Sequence, residues 1–381
     1  MLFINFLVIM RIGIDARFFG PQDKGLGRYT QKLIENLEEI DGNSQRKYLI
    51  FLRKRGFESY QPRSANFQKI LADYPWYSWS EQFFFPWQLY RQKLDLMHFC
   101  HFNVPILYWK KILVTIHDLI LFHYPTFRNT TLHWAVYFFK LIAYRLVIYW
   151  AVWKAKIVLA VSEFTKKDIL KNFPWTKGKV VAIPEGCDLP KINDFQDWKK
   201  YGIIKPYLLY VGNAYPHKNL ERLCRAFQKI KAVEPKLNLV LAGGEDFFYQ
   251  RLKKEIKKNH WQGIILAGFI EEIDLGKIYQ EAELLVFPSL YEGVGLPPLE
   301  ALASGTAVVS SWAASLPEFL GQAALYFDPK NENEMVEKIL KIWNNPKKKK
   351  ALIKEGKARI KNFSWQKMAR ETLSFYQKQE K

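Results

Sequence analysis

The stretch "ELLVFPSLYEGVGLPPLEALASG", residues 283–305, passes from an apolar run through a glycine-bearing loop into an apolar segment opened by a proline pair. The run "ELLVF" reads as a short buried strand. Pro297 and Pro298 suit the first positions of a helix, and Gly305 suits its stop. Strand, loop and helix in that order form the repeating unit of a parallel sheet covered on both faces. This reading leaves Gly293, Gly295, Glu292 and Glu300 without a reason.

A ligand supplies one. Gly293 and Gly295 let backbone N–H groups approach closely, and the helix beginning near Pro297 aims its positive end the same way, so a phosphate or diphosphate fits. The two carboxylates, eight positions apart, are then hydroxyl acceptors to either side: Glu292 in the loop and Glu300 in the first helical turn. A phosphate flanked by two polyols is a nucleotide sugar.

Outward from this stretch the same alternation fills the chain. Between Arg11 and Pro190 the apolar runs are "RIGIDA", "KYLIFL", "LMHF", "ILVTI", "IVLAV" and "VVAIP". After the polar stretch "KINDFQDWKKYGIIKP" the pattern restarts with "YLLYV", "LNLVLA", "IILA", "ELLVF", "AVVS" and "AALYF". Two such sets in 381 residues predict an α/β chain of two doubly wound, Rossmann-like domains facing across a cleft. The expected boundaries are 10–195 and 205–362, with the polar stretch as linker.

Ligands of such sheets bind beyond the carboxyl ends of the strands. After "YLLYV", Gly212 ends a strand, and His217 and Lys218 stand just before a helix, where a lysine offers charge to a diphosphate oxygen. After the first strand, "GPQDKGLGRYTQKL" places Gly25, Gly27 and Arg28 between strand and helix. It holds only G-x-G, and no acid ends the strand "KYLIFL", which disfavours a dinucleotide dehydrogenase. His117 and Asp118 close the strand "ILVTI". A lone histidine there is more often structural than catalytic.

Together these segments resemble the family 4 glycosyltransferases of the GT-B fold, near the mannosyltransferases that build bacterial polysaccharides. The resemblance rests on Glu292 and Glu300 as an E-x7-E pair, "YVGNAYPHKN", "LAGG" at 241–244, "GLGRY" at 25–29, "DLMHFCHFNVP", "IHDL" and "VSEFTKKDI". It implies a retaining hexosyltransferase, most simply mannosyl from GDP-mannose or another hexosyl from a UDP-hexose, with a saccharide or lipid-linked saccharide as acceptor. By the same carry-over Glu300 would hold the nucleotide ribose. Glu292 and the backbone of Gly293, Val294, Gly295 and Leu296 would hold the donor sugar. Lys218 with His217 would meet the diphosphate, His117 the sugar near its reacting face, and the backbone at Phe269 and Ile270 the base. Residues 363–381 would form a helix returning to the first domain. At His217 an arginine is more usual in the family. An isomerase or phosphorylase on the same fold is disfavoured by the glutamate spacing, and for a phosphorylase no pyridoxal lysine can be located. A silent binder of nucleotide sugars or membranes is disfavoured by the presence of both glutamates and Lys218. No D-x-D follows a strand, so a metal site is not expected and no cofactor is implied; the leaving diphosphate would be neutralised by Lys218 and a helix terminus.

Composition bounds the rest. A net charge of +20 favours phosphorylated ligands or anionic lipid, and no nucleic-acid motif accompanies it. Cys100, Cys187 and Cys224 have no metal spacing, are odd in number and read as packing residues of a chain in a reducing compartment, so the expected place is the cytoplasm, peripheral on the inner membrane face. "MLFINFLVIM" lacks a basic start and a cleavage site, and Met10 is an alternative initiator. The aromatic stretch 132–156 is expected in the core, with membrane contact as the alternative, and the stretch 75–90 in the core, with an acceptor-side surface as the alternative. The lysine run at 347–350 is expected as a solvated helix face.

Overall fold

The computed structural model describes residues 9–125, 133–188 and 198–380, with only the backbone of residues 134 and 135. The described residues divide into two compact units, one drawn from 1–119, 138–186 and 364–381, the other from 120–137 and 187–363. The expected boundary at 195 lies outside the described residues.

The first unit is a seven-stranded parallel sheet of β1 (Arg11–Asp15), β2 (Lys47–Leu52), β3 (Phe67–Leu71), β4 (Leu96–Phe99), β5 (Ile112–Ile116), β6 (Ile157–Ala160) and β7 (Val180–Ala182). Its spatial order is β3-β2-β1-β4-β5-β6-β7. The second is a six-stranded parallel sheet of β8 (Tyr207–Val211), β9 (Asn238–Ala242), β10 (Ile264–Gly268), β11 (Leu284–Phe287), β12 (Val308–Ser311) and β13 (Ala324–Phe327), ordered β10-β9-β8-β11-β12-β13. Runs such as Ile112–Ile116 are buried at every position, as strands with helices on both faces require. The order reverses between β1 and β4 in one sheet and between β8 and β11 in the other, and at those reversals loops of opposite direction splay apart and leave room for a ligand.

Helix Trp365–Gln377 belongs to the first unit. Ser364 caps it by accepting from the Lys367 amide at 3.3 Å, and Trp365, Met368, Ala369, Thr372, Leu373 and Tyr376 fall on its buried face at helical spacing. That face joins Leu33, Ile34 and Leu37 of helix Lys24–Asp41 in one core. Each large apolar side chain so buried contributes about 1.5–3 kcal/mol.

Three expectations change. The glycine segment after β1 is not a loop: helix Lys24–Asp41 already contains Gly25, Gly27 and Arg28. A Cβ on Gly27 would overlap the Gly20 carbonyl oxygen, so close packing accounts for that glycine. Helix Trp79–Arg91 buries Phe85, Pro86 and Leu89 but leaves Trp79 81% exposed, with Phe83, Phe84 and Trp87 also outward. Helix Trp134–Lys154 likewise lies on the surface, burying Tyr144, Ile148, Ala151 and Val152 and exposing Phe138, Phe139, Leu146 and Trp153. The expectation of core fails for both because a segment apolar on every side does not encode which side is covered.

Candidate functional site

In the second unit the loops at the reversal are Gly212–Asn219 after β8 and Pro288–Gly295 after β11. Gly212 has φ +146° and donates to the Ala242 carbonyl at 2.9 Å, while a Cβ on Gly243 would overlap the Gly212 carbonyl; the glycines of "YVG" and "LAGG" thus let two strand ends close on each other. The two reversal loops are joined by the Leu290 amide donating to the His217 carbonyl at 2.7 Å. Asn219, in the left-handed conformation at φ +64°, sends its amide nitrogen to the carbonyls of Pro288 at 3.1 Å and Pro329 at 2.8 Å.

This bracing brings Lys218 Nζ to Glu292 Oε1 at 2.6 Å, across 74 positions of sequence. Both side chains are largely buried, and the ammonium also lies 5.8 Å from the Phe287 ring centroid. A charge-assisted pair this short lies at the sheet reversal, where ligands of such sheets bind. Beside it His217 is buried, and burial followed by the nearby Lys218 charge pushes its pKa down to about 4. The imidazole is therefore neutral at pH 7, so it would meet a diphosphate as a hydrogen-bonding group rather than as a charge. Its Nδ1 and the Oγ of fully buried Ser289 have no hydrogen-bond partner among the described residues. Two buried polar atoms left open on adjoining loops fit a site that a ligand completes.

Gly295, at φ +84°, caps helix Leu296–Ala303, and a Cβ there would come within 2.7 Å of Leu316 Cδ2, so glycine is required on both counts. Ser315 Oγ donates to the Glu292 carbonyl at 2.9 Å and holds the loop from below. Glu300 is the fifth helical residue, in the second turn rather than the first, and is buried with Oε2 accepting from Tyr279 at 2.8 Å. After β10, Phe269 is 73% exposed while Ile270 is buried.

In the first unit the reversal is filled by the chain itself. Arg17 pairs with Asp15 at 2.8 Å and with Glu81 at 2.7 Å, all three buried, and lies 4.2 Å above the Phe85 ring. His117, after β5, has Nδ1 3.0 Å from Glu185 Oε1 and Nε2 3.0 Å from the Cys100 carbonyl. A carbonyl only accepts, so Nε2 carries hydrogen, and Nδ1 faces a carboxylate. Burial lowers the pKa of His117, but the Glu185 hydrogen bond and charge outweigh it and the group titrates above its ordinary value. The Glu185 carboxylate thus favours the protonated ring. Arg28 is half-buried and Gly25 exposed at the start of the helix whose Tyr29 meets His117 edge-on at 4.8 Å. A groove lined by Met10, Arg46, Asp95 and Lys111 opens at the amino ends of these strands, the end opposite to these loops. Among the described residues no group of three or more His, Cys, Asp or Glu is placed to hold a metal ion.

The supporting residues Tyr279, Ser315 and Glu185 carry no motif, whereas Asn219 closes the quoted stretch "YVGNAYPHKN". Only "PEG" at 184–186, directly after "VVAI", could have drawn attention to Glu185.

The fold so described is GT-B. Sucrose-phosphate synthase from Thermosynechococcus elongatus superposes with a TM-score of 0.75 at 21% identity, covering 97% of this chain and 98% of that one. Anabaena HepE in complex with UDP and glucose does so with a TM-score of 0.74 at 15% identity, covering 97% and 100%. Residues 24–191 match the family model "Glycosyltransferase Family 4" and residues 194–359 match "Glycosyl transferases group 1". The chain belongs to the family 4 glycosyltransferases. It is 30% identical over 240 residues to O-antigen chain mannosyltransferase B of Escherichia coli, covering 58% of this chain and 60% of that one. It is 28% identical over 250 residues to O-antigen chain mannosyltransferase RfbU of Salmonella typhimurium, covering 65% and 64%. The chain thus spans about three-fifths of the length of the curated relatives it matches.

Proposed function

We propose that the protein is a retaining hexosyltransferase that moves a mannosyl group from GDP-mannose to a saccharide or lipid-linked saccharide acceptor, at the cytoplasmic face of a membrane. The observation that carries this reading is the Lys218–Glu292 pair beside the Gly293–Gly295 loop, at the strand reversal of the second sheet. The mannosyl group is supported by the O-antigen mannosyltransferases among its relatives.

In this reading the donor diphosphate lies against Lys218, the amide-rich loop and the amino end of helix Leu296–Ala303, where positive charge meets the charge that builds up as the sugar leaves. His217 adds a neutral hydrogen-bonding group. Glu292 orients Lys218 and accepts from a sugar hydroxyl, so donor binding exchanges part of an internal ion pair for a ligand contact. Glu300, oriented by Tyr279, accepts from the ribose, and the backbone after Gly268 lies against the base. His117, engaged by Glu185 and the Cys100 carbonyl, stands near the sugar as a positioned group whose protonated form Glu185 favours. Neutralisation by these protein groups means that transfer proceeds in EDTA; recovery of a silenced enzyme by Mg²⁺ or Mn²⁺ alone would refute that part.

UDP-hexose is the second donor reading, because HepE is seen with UDP and glucose. A thermal-shift comparison of GDP-mannose, UDP-glucose, GDP and UDP decides between them, since a ligand binding only the folded state raises its melting point. A shift with the UDP series alone removes mannosyl transfer, and no shift with any removes the transferase reading.

A further inference from the structure

Helix Trp79–Arg91, the loop at 105–111 and helix Trp134–Lys154 touch one another on the first unit. Tyr90 donates its hydroxyl to the Leu107 carbonyl at 3.1 Å and accepts from the Trp109 amide at 2.8 Å. Trp109 in turn meets Trp150 edge-on at 4.8 Å. Each of these touching segments carries outward rings: Trp79, Phe83 and Trp87 at helical spacing on the first helix, Trp109 on the loop, Phe139 and Trp153 on the second, all exposed. Single exposed apolar residues need no explanation, but exposed rings on three touching segments mark a docking surface.

Charge selects the occupant. Residues 79–93, 105–111 and 138–156 contain eight Lys and Arg and one acid, Glu81, which is buried on Arg17. Basic side chains reach over the rings, with Arg91 4.6 Å from the Trp87 centroid and Lys154 5.5 Å from that of Trp109. A second copy of a chain of net charge +20 would set like charge against like. A phosphate-bearing lipid surface instead accepts rings and cations together. Val136–Lys154 is long and apolar enough to cross a membrane, yet Tyr144, Ile148, Ala151 and Val152 are packed inward, Tyr144 edge-on to Phe102 at 5.0 Å. A helix with one face packed on its own domain lies along a bilayer and does not cross it.

We propose that this face docks on an anionic bilayer surface, with its rings entering the headgroup boundary and its lysines and arginines meeting lipid phosphates. It deepens the reading above, in which the enzyme works at a membrane, by naming the surface and its partner. The full chain is sedimented with phosphatidylcholine vesicles, with and without phosphatidylglycerol, at low and high salt. Wild type pellets with the anionic vesicles at low salt and is released as salt screens the attraction. The triple variant Trp79→Ser, Phe83→Ser, Trp87→Ser and the double variant Lys140→Glu, Arg145→Glu each lose about tenfold or more in vesicle affinity at unchanged melting temperature. Changing Lys347–Lys350 to Gln, on the second unit, leaves binding intact.

The proposal is overturned if wild type ignores anionic vesicles at low salt, or if both face variants bind as wild type does. It is also overturned if ultracentrifugation shows a dimer that the triple variant dissolves without any vesicle binding. Vesicle binding needs no donor, so a missing nucleotide-sugar shift in a protein that still pellets sinks the transferase reading and leaves this one standing.

Discussion

The two sheet reversals have the same topology and opposite contents. Between β8 and β11 the second unit holds one ion pair, Lys218 with Glu292, next to a glycine loop and two open buried polar atoms. Between β1 and β4 the first unit holds Arg17 between Asp15 and Glu81, with Asn103 donating to Glu81 at 2.6 Å and the Tyr77 amide donating to it at 2.7 Å. The first arrangement is a single short pair beside an amide-rich loop. In the second every charge is already matched inside the protein, which makes it a fastening for the loops. Position in the fold therefore nominates both places, and what differs is the pairing: a single lysine–glutamate pair beside a glycine loop in one, an arginine clamped by two carboxylates in the other.

The sharpest way to break this comparison is Arg17→Met, which leaves Asp15 and Glu81 buried without their cation. It should cost about 3–5 kcal/mol of stability in denaturant unfolding. A loss below about 1 kcal/mol would mean that the brace is not one. Lys218→Ala should instead cost about 2–4 kcal/mol of transition-state stabilisation, read in kcat/KM, with folding little changed. Within the same site Glu300→Ala should weaken donor binding and Glu292→Ala should chiefly lower kcat; identical, near-wild-type kinetics in both would end the site assignment.

Acid should distinguish the two regions next. His217 is neutral in the folded state down to about pH 4. Unfolded histidine protonates near pH 6.5, so its contribution to stability is complete above that pH and is lost as pH falls from about 6.5 to about 4, by up to about 3 kcal/mol. Buried His98 and His101, pushed down to about 3, act with the same sign. His117, raised by Glu185, acts oppositely: its contribution is present below the unfolded value and lost as pH rises through its folded one. Melting curves of His217→Gln should fall less steeply than wild type between pH 6.5 and 4, and equal slopes would contradict the burial argument. The smallest effect is expected from Tyr279→Phe, which removes the hydroxyl donating to Glu300; donor affinity should drop by about 1 kcal/mol in a calorimetric titration.

Legibility followed the range of the signal. The strand "ILVTI", the glycine at 295 and the stop at Gly305 could be read because each depends on neighbours a few positions away. The candidate ligand groups could be read as far as their strand ends, since topology places such ends together. Their partners could not: Tyr279 reaches Glu300 across 21 positions and Glu185 reaches His117 across 68, with no spacing rule to announce either. The glycine at 27 shows the limit of such reading, because a glycine needed for close helix packing looks the same in sequence as one needed for a ligand.

The sequence by itself determined the two sets of alternating strands and helices and the glycine loop ahead of the proline-led helix. These are local patterns, written in periodicity and residue type. Tertiary structure alone decided that Lys218 closes on Glu292, that burial lowers the pKa of His217 while Glu185 raises that of His117, and that the aromatic helices at 79–91 and 134–154 leave apolar faces exposed. The physical reason is the same in each case: burial and pairing depend on which surfaces meet, and a helix apolar on every side, or a lysine 74 positions from its carboxylate, carries no mark of its neighbour until the sheets have formed.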